Sequence, residues 1–286
     1  MAEASGTGTR VSPPSLLRTA VEFLVHSNLF VSFSATGVAL TTVLLAGLTV
    51  DLIPLFIVFV VTLFVYSLNR VTDIAEDEKN VPRRARFTRR YGKPLLITGT
   101  VLYLAALVLA FALDLRGAPF LLLPLVVGAV YSLARAKRVL LVKNLIVGGA
   151  WGAVPLGVGV YYGVLFTPEI LFLAFFFFVS VTVAAALFDI KDIEGDRREG
   201  IRTVPIAFGP RATRIAAFVV VLALLPPVAV AVYLLSWEFV VLLGFLGYVL
   251  AYIPFATRDR GSLFYGFVID GEHVFVAVLS VLTVCL

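Results

Sequence analysis

Long apolar runs alternate with short polar connections along the whole chain. The runs cover roughly 20–46, 52–72, 95–113, 118–134, 144–164, 168–188, 213–234, 238–256 and 265–286. Each is close to the ~20 residues an α-helix needs to cross a bilayer. The pattern predicts an all-α membrane protein with about nine transmembrane helices. Residues 1–14 are small and polar, with Pro13 and Pro14 paired, and read as a flexible cytoplasmic tail. They lack the apolar core and cleavage site of a signal peptide. Residues 15–286 then form a single polytopic membrane domain. Glu22 and His26 fall in the first run, and His26 reads as packing. Asp270, Glu272 and His273 fall in the last run and read as solvated residues at a helix start. Asn28 is a polar residue inside a span, which makes it a candidate for lining a cavity. Phe175 to Phe178 point all round their helix, so one or two of them at most can line a groove.

Composition narrows the class. Hydrophobic residues make up 60%, charged residues 14%, and mean hydropathy is +1.03. A soluble domain is about half apolar and about a quarter charged, so a water-soluble globule is excluded. Cys285 is the single cysteine, which excludes a disulfide framework or a Cys-rich zinc site. No His/Cys metal constellation exists.

The scarce charges are unevenly placed. A charge at the centre of a span costs ~2.5–3.5 kcal/mol, so they should gather in the connections. All of the 23 basic residues except Arg116 lie in the N-terminal segment or in the connections after the second, fourth, sixth and eighth runs. The positive-inside rule places those segments in the cytoplasm and the C-terminus outside, in the cell membrane. Most of the basic residues read as topology and attraction to the lipid bilayer, with no nucleic-acid partner. Orientation does not account for the acidic residues on the same side, because Asp and Glu contribute little to it.

Two acidic triplets stand out. Asn69, Asp73 and Asp77 are spaced i, i+4, i+8 at the end of the second run. Asp189, Asp192 and Asp196 are spaced i, i+3, i+7 at the end of the sixth. Each spacing projects from one face of an α-helix. Such hard oxygen ligands suit Mg²⁺ or Ca²⁺. Mg²⁺ binds through one or two carboxylates plus substrate phosphates. Flanking Arg and Lys residues therefore point to a diphosphate gripped by metal on one side and by cations on the other.

Together the two motifs resemble the UbiA-type intramembrane prenyltransferase superfamily, with its N-x-x-x-D-x-x-x-D and D-x-x-D-x-x-x-D patterns. The stretch Gly195 to Gly209 is similar as well. Three features depart from the family pattern. Arg70 stands where many members have an acid. Val81-Pro82-Arg83-Arg84 replaces a D-R-P-like sequence. Tyr131-Ser132-Leu-Ala-Arg135-Ala-Lys137 replaces Tyr-x-x-x-Lys, so either Arg135 or Lys137 takes the lysine's place. The resemblance implies a bundle around a central cavity and Mg²⁺-dependent transfer from a prenyl diphosphate donor to a hydrophobic or aromatic acceptor. It makes Asp73, Asp77, Asp189 and Asp192 the catalytic metal ligands, with Asn69 and Asp196 completing the shell. Arg135, Lys137 and Lys143 would grip phosphate, and Arg83, with Arg84 and Arg86, would close over the site. Tyr131 and Ser132 either bind diphosphate or anchor at the interface. Lys191 is either a phosphate ligand or an internal counterion.

Two other classes compete. A membrane phosphotransferase on phosphate esters would carry D-G-x-x-A-R, which this chain lacks. A transporter would place its binding groups near the bilayer midplane, whereas these charges lie at helix ends.

Overall fold

The structure is a computed structural model that describes residues 16–74, 78, 81–124, 140–198 and 200–285. Every regular element among them is helical. In chain order they are α1 (Leu16–His26), α2 (Leu29–Leu45), α3 (Leu52–Thr72), α4 (Pro82–Ala112), α5 (Val142–Tyr162) and α6 (Pro168–Arg198). There follow α7 (Val204–Phe208), α8 (Pro210–Ala223), α9 (Leu225–Leu234), α10 (Val241–Tyr252) and α11 (Gly271–Cys285). A 3₁₀ turn covers Ala118–Leu122, and a π-helical turn, Phe264–Ile269, leads into α11. Among the described residues seven stretches are long and apolar enough to cross a membrane, and the bent pair α1–α2, taken as one span, makes an eighth. The span expected at 118–134 opens with the 3₁₀ turn, and from 125 to 139 it lies outside the described residues.

Four boundaries differ from the hydropathy pattern, each for a local reason. The first run is not one helix: α1 and α2 meet at 68°. Asn28, at the bend, has φ 63°, a left-handed conformation that Asn tolerates better than most residues. α4 starts well before its apolar run, at Pro82, because proline suits the first helical turn, where its missing N–H has no partner to lose. α6 runs beyond its apolar stretch to Arg198, so the second acidic triplet is fully helical. The seventh run breaks at Leu224, just ahead of Pro226 and Pro227, which cannot donate into a helix ladder.

Helices in lipid associate through close packing and hydrogen bonds, not through burial from water. Here glycines provide the approach. A Cβ on Gly148 would lie 2.6 Å from the Phe178 carbonyl oxygen, and one on Gly152 would lie 2.9 Å from that of Ala174. α5 therefore sits backbone to backbone on α6. Gly37 does the same for α2 on α11, where a Cβ would come 2.7 Å from the His273 carbonyl oxygen. Inside this frame Phe176 and Phe177 pack edge-on at 5.4 Å, and Phe176 meets Phe245 at 5.3 Å. Phe175 is half exposed, so the phenylalanine run divides between core and periphery as its helical position requires.

At the end of the bundle away from the acidic triplets, Asp51 caps α3 by accepting the Ile53 N–H at 2.9 Å. Tyr161 donates to the same carboxylate at 2.5 Å. These two donors hold the Asp51 carboxyl below the usual carboxylate range.

The α5–α6 contact yields a prediction. Gly152→Leu should lower stability by about 1–3 kcal/mol through overpacking, read as a reduced melting temperature in detergent. Gly157→Leu should leave it nearly unchanged, because a Cβ there meets nothing within 4 Å.

Candidate active site

The end of α6 supplies the most completely defined part of the site. Asp189 and Asp196 are buried, 2% and 1% exposed, and Asp192 lies between them on the same helix. The first turn of α5 faces them. Leu141, with φ 66°, turns the chain into that helix. Lys143 then sets its Nζ 2.6 Å from Asp189 Oδ1 and 3.7 Å from Asp196 Oδ2. Asn144 Nδ2 donates to Asp189 Oδ2 at 2.9 Å. Both oxygens of Asp189 are thus engaged by α5, and the carboxylate is held in one orientation. Lys143, expected on phosphate, lies between two carboxylates in this structure.

A second layer lies beside this one. Lys191 pairs with Asp192, and its Nζ lies 5.7 Å from the Phe188 ring centre and 5.8 Å from that of Tyr265. Arg70, from α3, and Arg84, from α4, are near enough to act on Lys191 electrostatically. Arg70 and Lys191 act in the same way on Asp270, just before α11. The Asp192 pairing is the contact Lys191 makes here.

The first motif closes α3. Asp73 is the C-cap, and its backbone N–H donates to the Asn69 carbonyl at 2.9 Å, so the i, i+4 relation of Asn69 and Asp73 is kept. One turn further inside, Trp151 Nε1 donates to Tyr66 Oη at 3.3 Å and ties α5 to α3. Asn28 Nδ2 reaches Ser67 Oγ at 3.5 Å, which fixes the α1–α2 bend against α3. His26 packs against Phe87 at 5.8 Å. Arg83 pairs with α1: its Nη1 is 3.3 Å from Glu22, where Arg18 also binds. Asp77, Tyr131, Ser132, Arg135 and Lys137 lie outside the described residues.

One expectation is overturned. Glu272 and His273 are not solvated, being 0% and 2% exposed. The π-helical turn takes the chain into the bundle ahead of them, so α11 begins already inside. Sequence reasoning also missed Asn144. The signal was available: it is a polar residue opening an apolar run.

Five carboxylate or amide side chains, Asn69, Asp73, Asp189, Asp192 and Asp196, lie at two helix ends with lysines and arginines among them. They sit at one end of a membrane bundle whose interior is aromatic and apolar. Fold and site together define an integral-membrane enzyme. The family model for UbiA prenyltransferases matches residues 29–265. A digeranylgeranylglyceryl phosphate synthase from Sulfolobus acidocaldarius is 30% identical over 203 residues, spanning 68% of this chain and 70% of the relative. One from Methanocaldococcus jannaschii is 29% identical over 61% of each chain. The solved structure of a UbiA homolog from Aeropyrum pernix K1 superposes with a TM-score of 0.64 at 17% identity, covering 89% of this chain and 98% of that one. The chain belongs to the UbiA prenyltransferase family, and it is a membrane prenyltransferase.

The Lys143 contact makes a second prediction. Lys143→Met should leave two buried carboxylates facing each other and destabilise the protein by about 3–5 kcal/mol. Adding Asp189→Asn should recover part of that loss. A double-mutant cycle of melting temperatures with the single Asp189→Asn variant measures the coupling.

Proposed function

We propose that this chain transfers a geranylgeranyl chain from its diphosphate to the free hydroxyl of a glyceryl phosphate lipid that already carries one such chain. The carrying observation is the acidic end of the bundle, where Asp189 is gripped by Lys143 and Asn144 above an aromatic interior. The relatives' name supports the acceptor. Digeranylgeranylglyceryl phosphate has two chains on one glyceryl phosphate, so its final prenylation adds a chain to a singly prenylated lipid.

Magnesium fits the donor set. Carboxylate and amide oxygens suit Mg²⁺, which keeps waters and binds through one or two carboxylates plus phosphate oxygens. Asn69, Asp73 and Asp77 from the first motif and Asp189, Asp192 and Asp196 from the second would hold it. When bound, it supplies charge stabilisation to a leaving diphosphate.

The protein's own residues do the rest. Asn144 and Lys143 orient Asp189. Lys143, Lys191, Arg70 and Arg84 offset charge as the allylic C–O bond breaks and its electron pair passes to the diphosphate. On this reading Arg135 and Lys137 assist at the same phosphates. The aromatic interior admits the prenyl tail and excludes the water that would quench an allylic cation. The distribution of basic residues supports a site opening to the cytoplasm.

The test uses the purified protein in lipid nanodiscs with geranylgeranyl diphosphate and a panel of acceptors, read by mass spectrometry. Ether formation on geranylgeranylglyceryl phosphate is expected, with loss on chelation and recovery with Mg²⁺. Asp73→Ala and Asp189→Ala should each reduce turnover at least ~100-fold while the protein remains folded. Full turnover in the chelated enzyme would remove the metal role. Transfer to an aromatic acid in preference to the glyceryl lipid would overturn the acceptor.

A further inference from the structure

α11 carries an acid and a base that the acidic triplets do not use. Tyr252 Oη, from α10, donates to Glu272 Oε2 at 2.5 Å. The other oxygen, Glu272 Oε1, lies 3.6 Å from His273 Nε2. Neither Glu272 Oε1 nor either His273 ring nitrogen has a hydrogen-bond partner. The Asp270 carbonyl approaches the imidazole, but not in hydrogen-bonding geometry. Lipid cannot satisfy such atoms, and polar groups left unpaired in a membrane bundle are costly.

The surroundings are chemically specific. Trp151 of α5 lies 4.5 Å from the His273 ring centre, Phe245 of α10 at 5.8 Å and Phe177 of α6 at 5.9 Å. α2 contributes Gly37, which brings its backbone onto the His273 carbonyl. The ionisable groups facing the pair are Tyr252 and Tyr248 from α10 and Asp270 from the turn before α11. An acid–base pair with open hydrogen-bonding atoms thus sits in an aromatic box.

Depth places this box relative to the acidic layer. Asn144 and Trp151 are seven residues apart on one face of α5, about 10 Å along the axis. Tyr66, bonded to Trp151, is one turn inside Asn69 on α3. The box therefore lies one to two turns inward from the acidic end. A diphosphate held at that end would hang its first prenyl carbon towards it.

We propose that Glu272 and His273 bind the acceptor's hydroxyl and take its proton as the ether forms. This rests on the function proposed above. The step balances with no further reactant. The acceptor O–H breaks and its oxygen bonds to the first prenyl carbon. The bond from that carbon to the diphosphate breaks, with the electron pair leaving on diphosphate. The proton goes to the Glu272–His273 pair. Tyr252 is a positioning residue that holds the carboxylate.

A partition experiment tests this. The purified protein is given labelled geranylgeranyl diphosphate and geranylgeranylglyceryl phosphate, and ether and hydrolysed prenyl alcohol are quantified together. Glu272→Gln and His273→Gln should each lower the ratio of ether to alcohol at least ~10-fold, because general-base assistance contributes ~100-fold or more. The wild-type transfer rate should rise with pH, and both variants should lose that rise. Glu272→Asp should restore part of the ratio. Tyr252→Phe, which removes one hydroxyl, should shift the ratio in the same direction by a smaller factor. A wild-type ratio in folded Glu272→Gln and His273→Gln, with ether and alcohol falling together, would overturn the proposal. So would failure of all four variants to fold, since the pair would then be structural. No ether from the wild-type protein on any hydroxyl acceptor would instead overturn the underlying function, before any variant is compared.

Discussion

Lys143 places its ammonium between the carboxylates of Asp189 and Asp196, and the acidic end of the bundle is built around that contact. Buried carboxylates in an apolar bundle need a counter-charge, because desolvation outweighs most other terms there. The start of α5 supplies it together with Asn144, which donates to the second oxygen of Asp189. A single turn of one helix thereby neutralises, orients and secures the second acidic motif. Lys191 and Asp192 repeat the arrangement one layer away, with Arg70 and Arg84 close by.

That contact is possible only because α5 and α6 approach so closely. Gly148 and Gly152 remove the side chains that would separate them. The same helix face continues to Trp151, which bonds Tyr66 of α3 and packs tilted against His273 of α11. One face of α5 therefore links the second motif, the helix of the first motif and the buried pair of α11. Packing and chemistry share a scaffold, so the polar groups are held by rigid helices rather than loops, which favours precise geometry.

Much of the site was legible from local pattern. The triplet of Asp189, Asp192 and Asp196 reads as one helical face because its spacing follows 3.6 residues per turn, and α6 does continue through it. Asn69 and Asp73 keep their relation for the same reason. Glu272 and His273 were misread as solvated, because hydropathy records that a polar pair lies near the start of a run and says nothing about partners in other helices. Arg83 looked equivalent to Arg84 in sequence. The structure gives Arg83 to Glu22 and leaves Arg84 near Lys191, because neighbouring residues point about 100° apart around a helix.

The sequence by itself determined the membrane class, most of the apolar runs that become helices, the gathering of basic residues in alternate connections and the helical face of the second acidic motif. These are properties of composition and short-range periodicity, which one stretch of chain carries alone. The tertiary structure decided which cation meets which acid, where the first run bends at Asn28, and that Glu272 and His273 lie inside. Those outcomes depend on contacts between distant segments, such as Asn144 with Asp189, 45 residues apart. Such partners become neighbours only when glycine-lined helices close on one another.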